Sequence, residues 1–276
     1  MNAQEVPAGY LWKRAFELTG MYPVGLQNGI LLWAALGASS TAGAGPYTHT
    51  IGAPTDGSVL PSFTIQHERT GTATAWATQF TGCKVAGLTL TCSEEQKYLI
   101  GRVDWIAQKA ADPAFVLDND PTLPPTATTA PYKFAGMTRT YNAAAIDGLV
   151  SMELSIMPDL TPIRAHKWDA GTWTGQWLYS LIEAPRKQYR LTMHVVPDSD
   201  DMWDDAVSQA ATSDIVFKWT KSTNDYIQIT CTDCALTFHE LDTPEVGDSL
   251  VDVVECEPRS LAIEVKDSIA GGYYGE

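Results

Sequence analysis

GCKVAGLTLTCSEEQKYLIGRVDWIAQ, residues 82–108, sets the reading of the whole chain because its pattern returns later in degenerate form. Here Cys83 stands five residues before Leu88-Thr89-Leu90, and Val103-Asp104 lies fifteen beyond Leu88. In the later copy Cys231 stands five before Leu236-Thr237-Phe238, and Val251-Asp252 lies fifteen beyond Leu236, an offset of 148 throughout. Upstream of each copy runs an alternating apolar segment, a polar turn and a second run entering the Cys. Ser62–Arg69, Thr70-Gly71-Thr72 and Ala73–Thr81 form the first; Asp214–Lys221, Ser222–Asp225 and Tyr226–Cys231 form the second. A recurring spacing on a recurring strand pattern is what a duplicated β-rich unit leaves behind.

Working outward, the expected fold is mainly β with a few helices, in two tandem β-sandwich or barrel domains that each carry a flanking helix. The first domain is placed at 1–111, a linker at 112–131, the second domain at 132–267 and a flexible tail at 268–276. The linker rests on five prolines in Asp112–Pro131, since proline removes a ladder donor and forces extended backbone. Leu26–Leu36 reads as a buried helix, with Asn28 as cap and Gly37 in the left-handed position that ends it. Ser199 caps a second helix whose first turn holds Asp200 and Asp201, with Met202, Ala206, Val207 and Ala210 as its buried stripe. Strand alternation puts Val150, Met152, Leu154 and Ile156 on one face, and Tyr189, Leu191, Met193 and Val195 on another. Between these strands, 158–187 reads as a long inserted loop rich in Trp, Pro and Gly. A loop of that length in a compact domain is usually functional.

Composition narrows the function. At 276 residues, 45% hydrophobic and nine Trp, the chain can build a sizeable core. The net charge of −15 is uneven: residues 190–276 hold 18 acids and 5 bases, residues 1–189 hold 15 and 13. Phosphate-neutralising nucleic-acid recognition needs clustered Lys and Arg, so that class is disfavoured. The longest strongly apolar run, Ile30–Leu36, is seven residues, and no N-terminal apolar segment suggests export. The expectation is a soluble chain made in the cytosol, with five reduced core cysteines rather than a disulfide framework.

No catalytic residue is assigned, because the sequence holds no G-x-S-x-G elbow, no Gly-rich phosphate loop and no H-E-x-x-H. No metal or other cofactor is expected either. The best metal candidate is Cys231-x-x-Cys234 with His239 near, but residues three apart on a regular strand point to opposite faces. Glu94-Glu95 reads as a solvated turn. Trp168, Trp173 and Trp177 carry two readings: a stacking platform for sugars, or aromatic anchors at a contact between subunits. The first would make the protein a β-sandwich binding module for carbohydrate or a host surface. The second would make it an assembly protein.

Five stretches, LPSFTIQHE at 60–68, FTGCKVAGLTLTC at 80–92, VDWIAQK at 103–109, GLVSMELSI at 148–156 and YTHT at 47–50, decide between them. Together they make the chain, from Leu26 to Lys266, resemble the tail tube proteins of long-tailed bacteriophages, in particular the larger kind with tandem tube domains. The resemblance implies a structural virion protein whose sheets join between subunits around a channel. Rings stack into a tube, DNA passes through the lumen without specific binding, and no membrane takes part. It also implies contacts with other tail proteins, namely tape measure, terminator and tail tip. Rings of this family are typically built from six tube domains. A chain carrying two would therefore form a trimer, or a hexamer if only the second domain lines the channel. An acidic lumen fits the charge.

Overall fold

The computed structural model describes residues 16–23, 29–54, 59–69, 76–107, 109–110, 131–169, 172–196, 213–239 and 251–271, together with Met202 and Val207. The expected linker, apart from Pro131, lies outside these residues, and so does the expected 199–210 helix apart from Met202 and Val207, both helical. The chain is mainly β. Its strands are β1 Phe16–Pro23, β2 Ala38–Ala42, β3 Tyr47–Gly52, β4 Phe63–Arg69, β5 Trp76–Ser93, β6 Ile100–Ala107 and β7 Lys109–Ala110. After the gap come β8 Met137–Tyr141, β9 Ala144–Ala145, β10 Leu149–Asp169, β11 Thr172–Val195, β12 Ser213–Ser222, β13 Asp225–His239, β14 Asp252–Glu257 and β15 Ser260–Asp267.

The helix α1, Gly29–Leu36, forms where apolar residues follow one another without interruption. Being apolar on every side, it buries Leu32, Ala34, Ala35 and Leu36 and packs on β3, β5 and β10. Gly37 ends it as expected: at φ +100° its N–H donates to the Trp33 carbonyl at 2.7 Å. A side chain at that φ would be strained, and its Cβ would stand 3.2 Å from Leu60. From α1 an edge-on aromatic series runs inward, Trp33 to Phe63 and Phe63 to Trp105, each with centroids 5.6 Å apart.

The strands form a two-layered sandwich. The first layer has the order β1-β6-β5-β10-β11-β14-β13, every neighbour antiparallel. In the second layer β9, β8, β12, β13, β15, β3 and β2 follow in turn, again antiparallel. β13 serves both layers, its start in the second and its end, Ala235–His239, in the first. Between the layers lies one continuous core with Leu154, Ile156, Leu191 and Val254 on one side and Phe217, Trp219, Ile229 and Ile263 on the other. Trp219 and Phe217 are fully buried, and each such side chain contributes roughly 2–3 kcal/mol by leaving water.

The pairing registers carry an internal repeat, and its offset is 151 rather than 148. Phe80 pairs with Ala110 as Cys231 pairs with Leu261, and Thr81 with Lys109 as Thr232 with Ser260. Lys84 pairs with Ile106 as Ala235 with Glu257, and Val85 with Trp105 as Leu236 with Cys256. Both copies bulge at one place, between Phe63/Ile65 and between Ser213/Ile215 of the partner strands. At the bulge Gly82 (φ +65°) answers Asp233 (φ +53°), and the thiol after each donates to a carbonyl three residues back at 3.4 Å. Cys83 thus corresponds to Cys234, not to Cys231. Spacing alone pairs Cys83 with Cys231 because the two cysteines of the Cys231/Cys234 pair stand only three residues apart.

The repeated parts interleave. β10 lies between β5 and β11, while the β2–β3 hairpin pairs through β3 with β15. At the end of the chain Ile269 is buried and its N–H donates to Asp267, so the tail expected from Ser268 is anchored at its start.

Candidate assembly surface

Strand alternation gives the first layer two unlike faces. One is the core face. On the other, Thr89, Thr91 and Ser93 of β5 stand beside Ser151, Glu153 and Ser155 of β10, partially or fully exposed. Arg190, Thr192 and His194 of β11 continue this face to Glu255 and Glu257 of β14, and Arg102 and Asp104 extend it along β6. It is a wall of short hydroxyls and carboxylates.

Its cations are held by neighbouring acids. The Arg190 guanidinium donates to both oxygens of Glu255 at 2.6 Å, and this bond, with the field of Glu257 and Glu153, raises its pKa further. Arg102 lies 3.7 Å from Asp104. Both pairs are solvated, so they add little stability; what they do is occupy the arginines. Glu153 and Glu257 then leave the wall acidic.

Beyond the wall, β10 and β11 continue as a two-stranded ribbon. β10 pairs with β5 over Ser151–Ile156 and β11 with β14 over Leu191–Val195, whereas the two strands pair with each other as far as Asp169 and Thr172. Of residues 158–187, expected as a loop, the described ones, 158–169 and 172–187, are therefore strands. The prolines misled the reading: Pro158 and Pro162 sit in register with Lys187 and Leu181. Among the described residues each ribbon strand has one free edge past this point, and proline is tolerated where its nitrogen faces away from the partner. At about 3.3 Å per residue the twelve residues Pro158–Asp169 span roughly 40 Å. The register sets Trp168 opposite Trp173 near the tip, and Trp177 opposite Ala165.

The metal candidate takes a different form from the one expected. The bulge at Asp233 turns Cys231 and Cys234 to the same buried side instead of opposite ones. Cys256 joins them from β14, and the three share sulfur hydrogen bonds. The bond to Cys234 and burial push the Cys231 thiol well above its ordinary pKa. His239 pairs instead with Val253, further along β13. Among the described residues no group of three or more His, Cys, Asp or Glu is arranged to hold a metal. Glu94 and Glu95 are exposed in a turn where the Gln96 N–H bonds the Ser93 hydroxyl at 3.0 Å.

Residues 15–265 match the family model described as phage tail tube protein. The chain belongs to the phage tail tube protein family. No curated protein matches it. This tail tube protein is a structural component of the virion tail, and membership implies self-assembly into a tube alongside other tail proteins. A match over nearly the whole chain covers the wall and the ribbon alike.

Proposed function

We propose that the polar wall lines the channel of the tail tube, that each chain contributes two tandem tube units to a ring, and that rings stack to make the conduit for the genome. The observation that carries this is the first layer itself: among the described residues it has seven strands open at both ends, and five of them, β6, β5, β10, β11 and β14, bury one face and present hydroxyls and acids on the other. A layer of that kind removes its edges by continuing into neighbouring copies. The repeat supports two units: β1-β6-β5 and β11-β14-β13 have the same order and lie in the same layer.

Strand count favours three chains per ring. At about 4.8 Å between strands and a tilt of about 40°, 21 strands close into a barrel roughly 40 Å across. After side chains take about 5 Å on each side, a duplex roughly 20 Å wide passes. Six chains that each gave the whole layer would give roughly 80 Å, far wider than the cargo needs, so a hexamer requires that only the second unit lines the channel. The acidic wall repels phosphate and its arginines are occupied, so DNA slides rather than binds. This role needs no catalytic step.

The ribbon accounts for stacking. A lone two-stranded hairpin is marginal in water, so a ribbon of this length calls for a covering surface. In this reading it reaches an adjacent subunit, with Trp168, Trp173 and Trp177 as anchors. The terminal rings would meet the tape measure, terminator and tail-tip proteins. Mass measurement of isolated rings, with the rotational symmetry of end-on views, tests the proposal. Three chains and a pseudo-sixfold outline are expected; six chains would overturn the trimer, and monodisperse monomers at high concentration would overturn the tube.

A further inference from the structure

The second layer holds a group of side chains that the tube role leaves unused. Thr41 of β2 and His49 of β3 are cross-strand partners, and Val265 stands opposite His49 on β15, two residues before Asp267. Residues two apart on a strand share a face, so the registers bring a hydroxyl, an imidazole and a carboxylate into one row. Thr41 Oγ1 lies 2.7 Å from His49 Nδ1, and His49 Nε2 lies 3.1 Å from Asp267 Oδ1.

The bonds fix where the ring proton sits. A carboxylate only accepts, and Asp267 Oδ1 also takes the Ile269 N–H at 2.7 Å, so the proton of the neutral ring is on Nε2. Nδ1 then carries a lone pair, and the Thr41 hydroxyl donates to it. His49 and Asp267 are enclosed by the core, which holds the ring in place. Thr41 is half-buried and residues 42–46 after it are exposed, so the outer end of the row meets solvent. Fastening the hairpin requires only the His49–Asp267 contact; the Thr41 bond adds a path for a proton that begins at the surface.

We propose that Thr41 is an activated nucleophile that takes an acyl group from a small thioester or activated ester, with His49 as its base and Asp267 as the residue that positions the ring. Oγ1 attacks the acyl carbon and the C–S or C–O bond of the donor breaks. The Thr41 proton passes to Nδ1 and on to the departing thiolate or alkoxide. The step balances without an oxidant or reductant, because one acyl group moves onto one oxygen. A base in hydrogen-bond reach of its nucleophile contributes about 100- to 10,000-fold. A half-buried hydroxyl admits a compact donor and excludes a folded chain. The site is independent of the channel reading, since β2, β3 and β15 belong to the layer opposite the polar wall.

Acylation of the full chain with p-nitrophenyl acetate, its positions mapped by mass spectrometry, tests the assignment. Thr41 should gain an acetyl ester that hydroxylamine removes, about a hundredfold or more faster than Thr50, an exposed hydroxyl on the neighbouring strand. The rate should rise with pH and level off as the base finishes titrating, whereas attack assisted by hydroxide alone would keep rising. Thr41→Val should lose the label and Thr41→Ser should keep it. Asp267→Asn should slow it about tenfold or more by loosening the ring. Mapping the unaltered chain decides the matter even where a variant fails to fold. A Thr41 labelled no faster than Thr50, or labelled without a plateau in pH, overturns the proposal and leaves the row as a fastening of the β2–β3 hairpin.

Discussion

His49 Nε2 and an oxygen of Asp267 lie 3.1 Å apart although 218 residues separate them in the chain. Both are buried, at 0% and 1% exposure. The Thr41 hydroxyl meets the other ring nitrogen at 2.7 Å, and the Ile269 N–H gives the carboxylate a second bond at 2.7 Å. This contact pins the β2–β3 hairpin, which comes early in the chain, to the last strand. His49→Ala strands a carboxylate in the core, and removing one partner of a buried pair costs about 3–5 kcal/mol. Urea unfolding should show that loss, with Asp267→Asn losing less because the amide can still bond the ring.

Gly148 and Gly52 make a matched pair of backbone tests. A Cβ on Gly148 would lie 1.9 Å from the Val196 carbonyl oxygen, where the Val196 N–H already donates to the Gly148 carbonyl at 2.8 Å. On Gly52 the nearest atom would be the Leu261 carbonyl oxygen at an ordinary 3.8 Å. Gly148→Ala should cost several times more stability than Gly52→Ala in thermal unfolding. Equal costs would mean that β10 and β11 can part freely at this end.

Alkaline unfolding should follow a buried thiol and a half-buried phenol that stay protonated. Burial pushes Cys92 up to about 11, and burial with a bond to Glu264 pushes Tyr226 up to about 12. A raised native pKa stabilises fully below the unfolded value and is lost as pH climbs to the native one. The melting temperature should therefore be insensitive to these groups below about pH 9, then fall through pH 11–12. Cys92→Ala should flatten the first part of that fall.

The wall's charge can be inverted without touching the core. Glu153→Lys with Glu257→Lys replaces two exposed acids by bases. Tubes should still assemble, while DNA release from virions slows tenfold or more at low salt and recovers as salt screens the added contacts. Release at the original rate under low salt would mean that another face lines the channel.

Replacing Trp168, Trp173 and Trp177 together by Ala should abolish tube formation yet leave a folded subunit. Sedimentation and circular dichroism would read the two outcomes separately. Loss of folding would assign these residues to the subunit's own interior.

Much of this architecture was readable in the residues because alternation is unambiguous where one strand face is buried. Met152, Leu154 and Ile156 alternate with Ser151, Glu153 and Ser155, and the fold uses both sets as the pattern requires. Gly37 ended its helix where expected for an equally local reason. The ribbon was missed because proline reads as a breaker unless one knows that a strand has only one partner. The cysteine equivalence was missed because a bulge inserts a residue that spacing alone cannot see. The wall itself could not be found in the sequence: it is assembled from five strands spread across both halves of the chain, and its members share only small size and polarity.

Interleaving has a consequence for synthesis. β5 leaves the ribosome with the edge that β10 will fill still bare, and β3 must wait for β15, the last strand of all. Neither half can complete its own hydrogen bonding while the other is untranslated, so a nascent chain carries open edges for most of its elongation. The two repeated pairings are therefore completed in a single obligate folding event, and a gene cut between them should yield fragments that fold only when mixed.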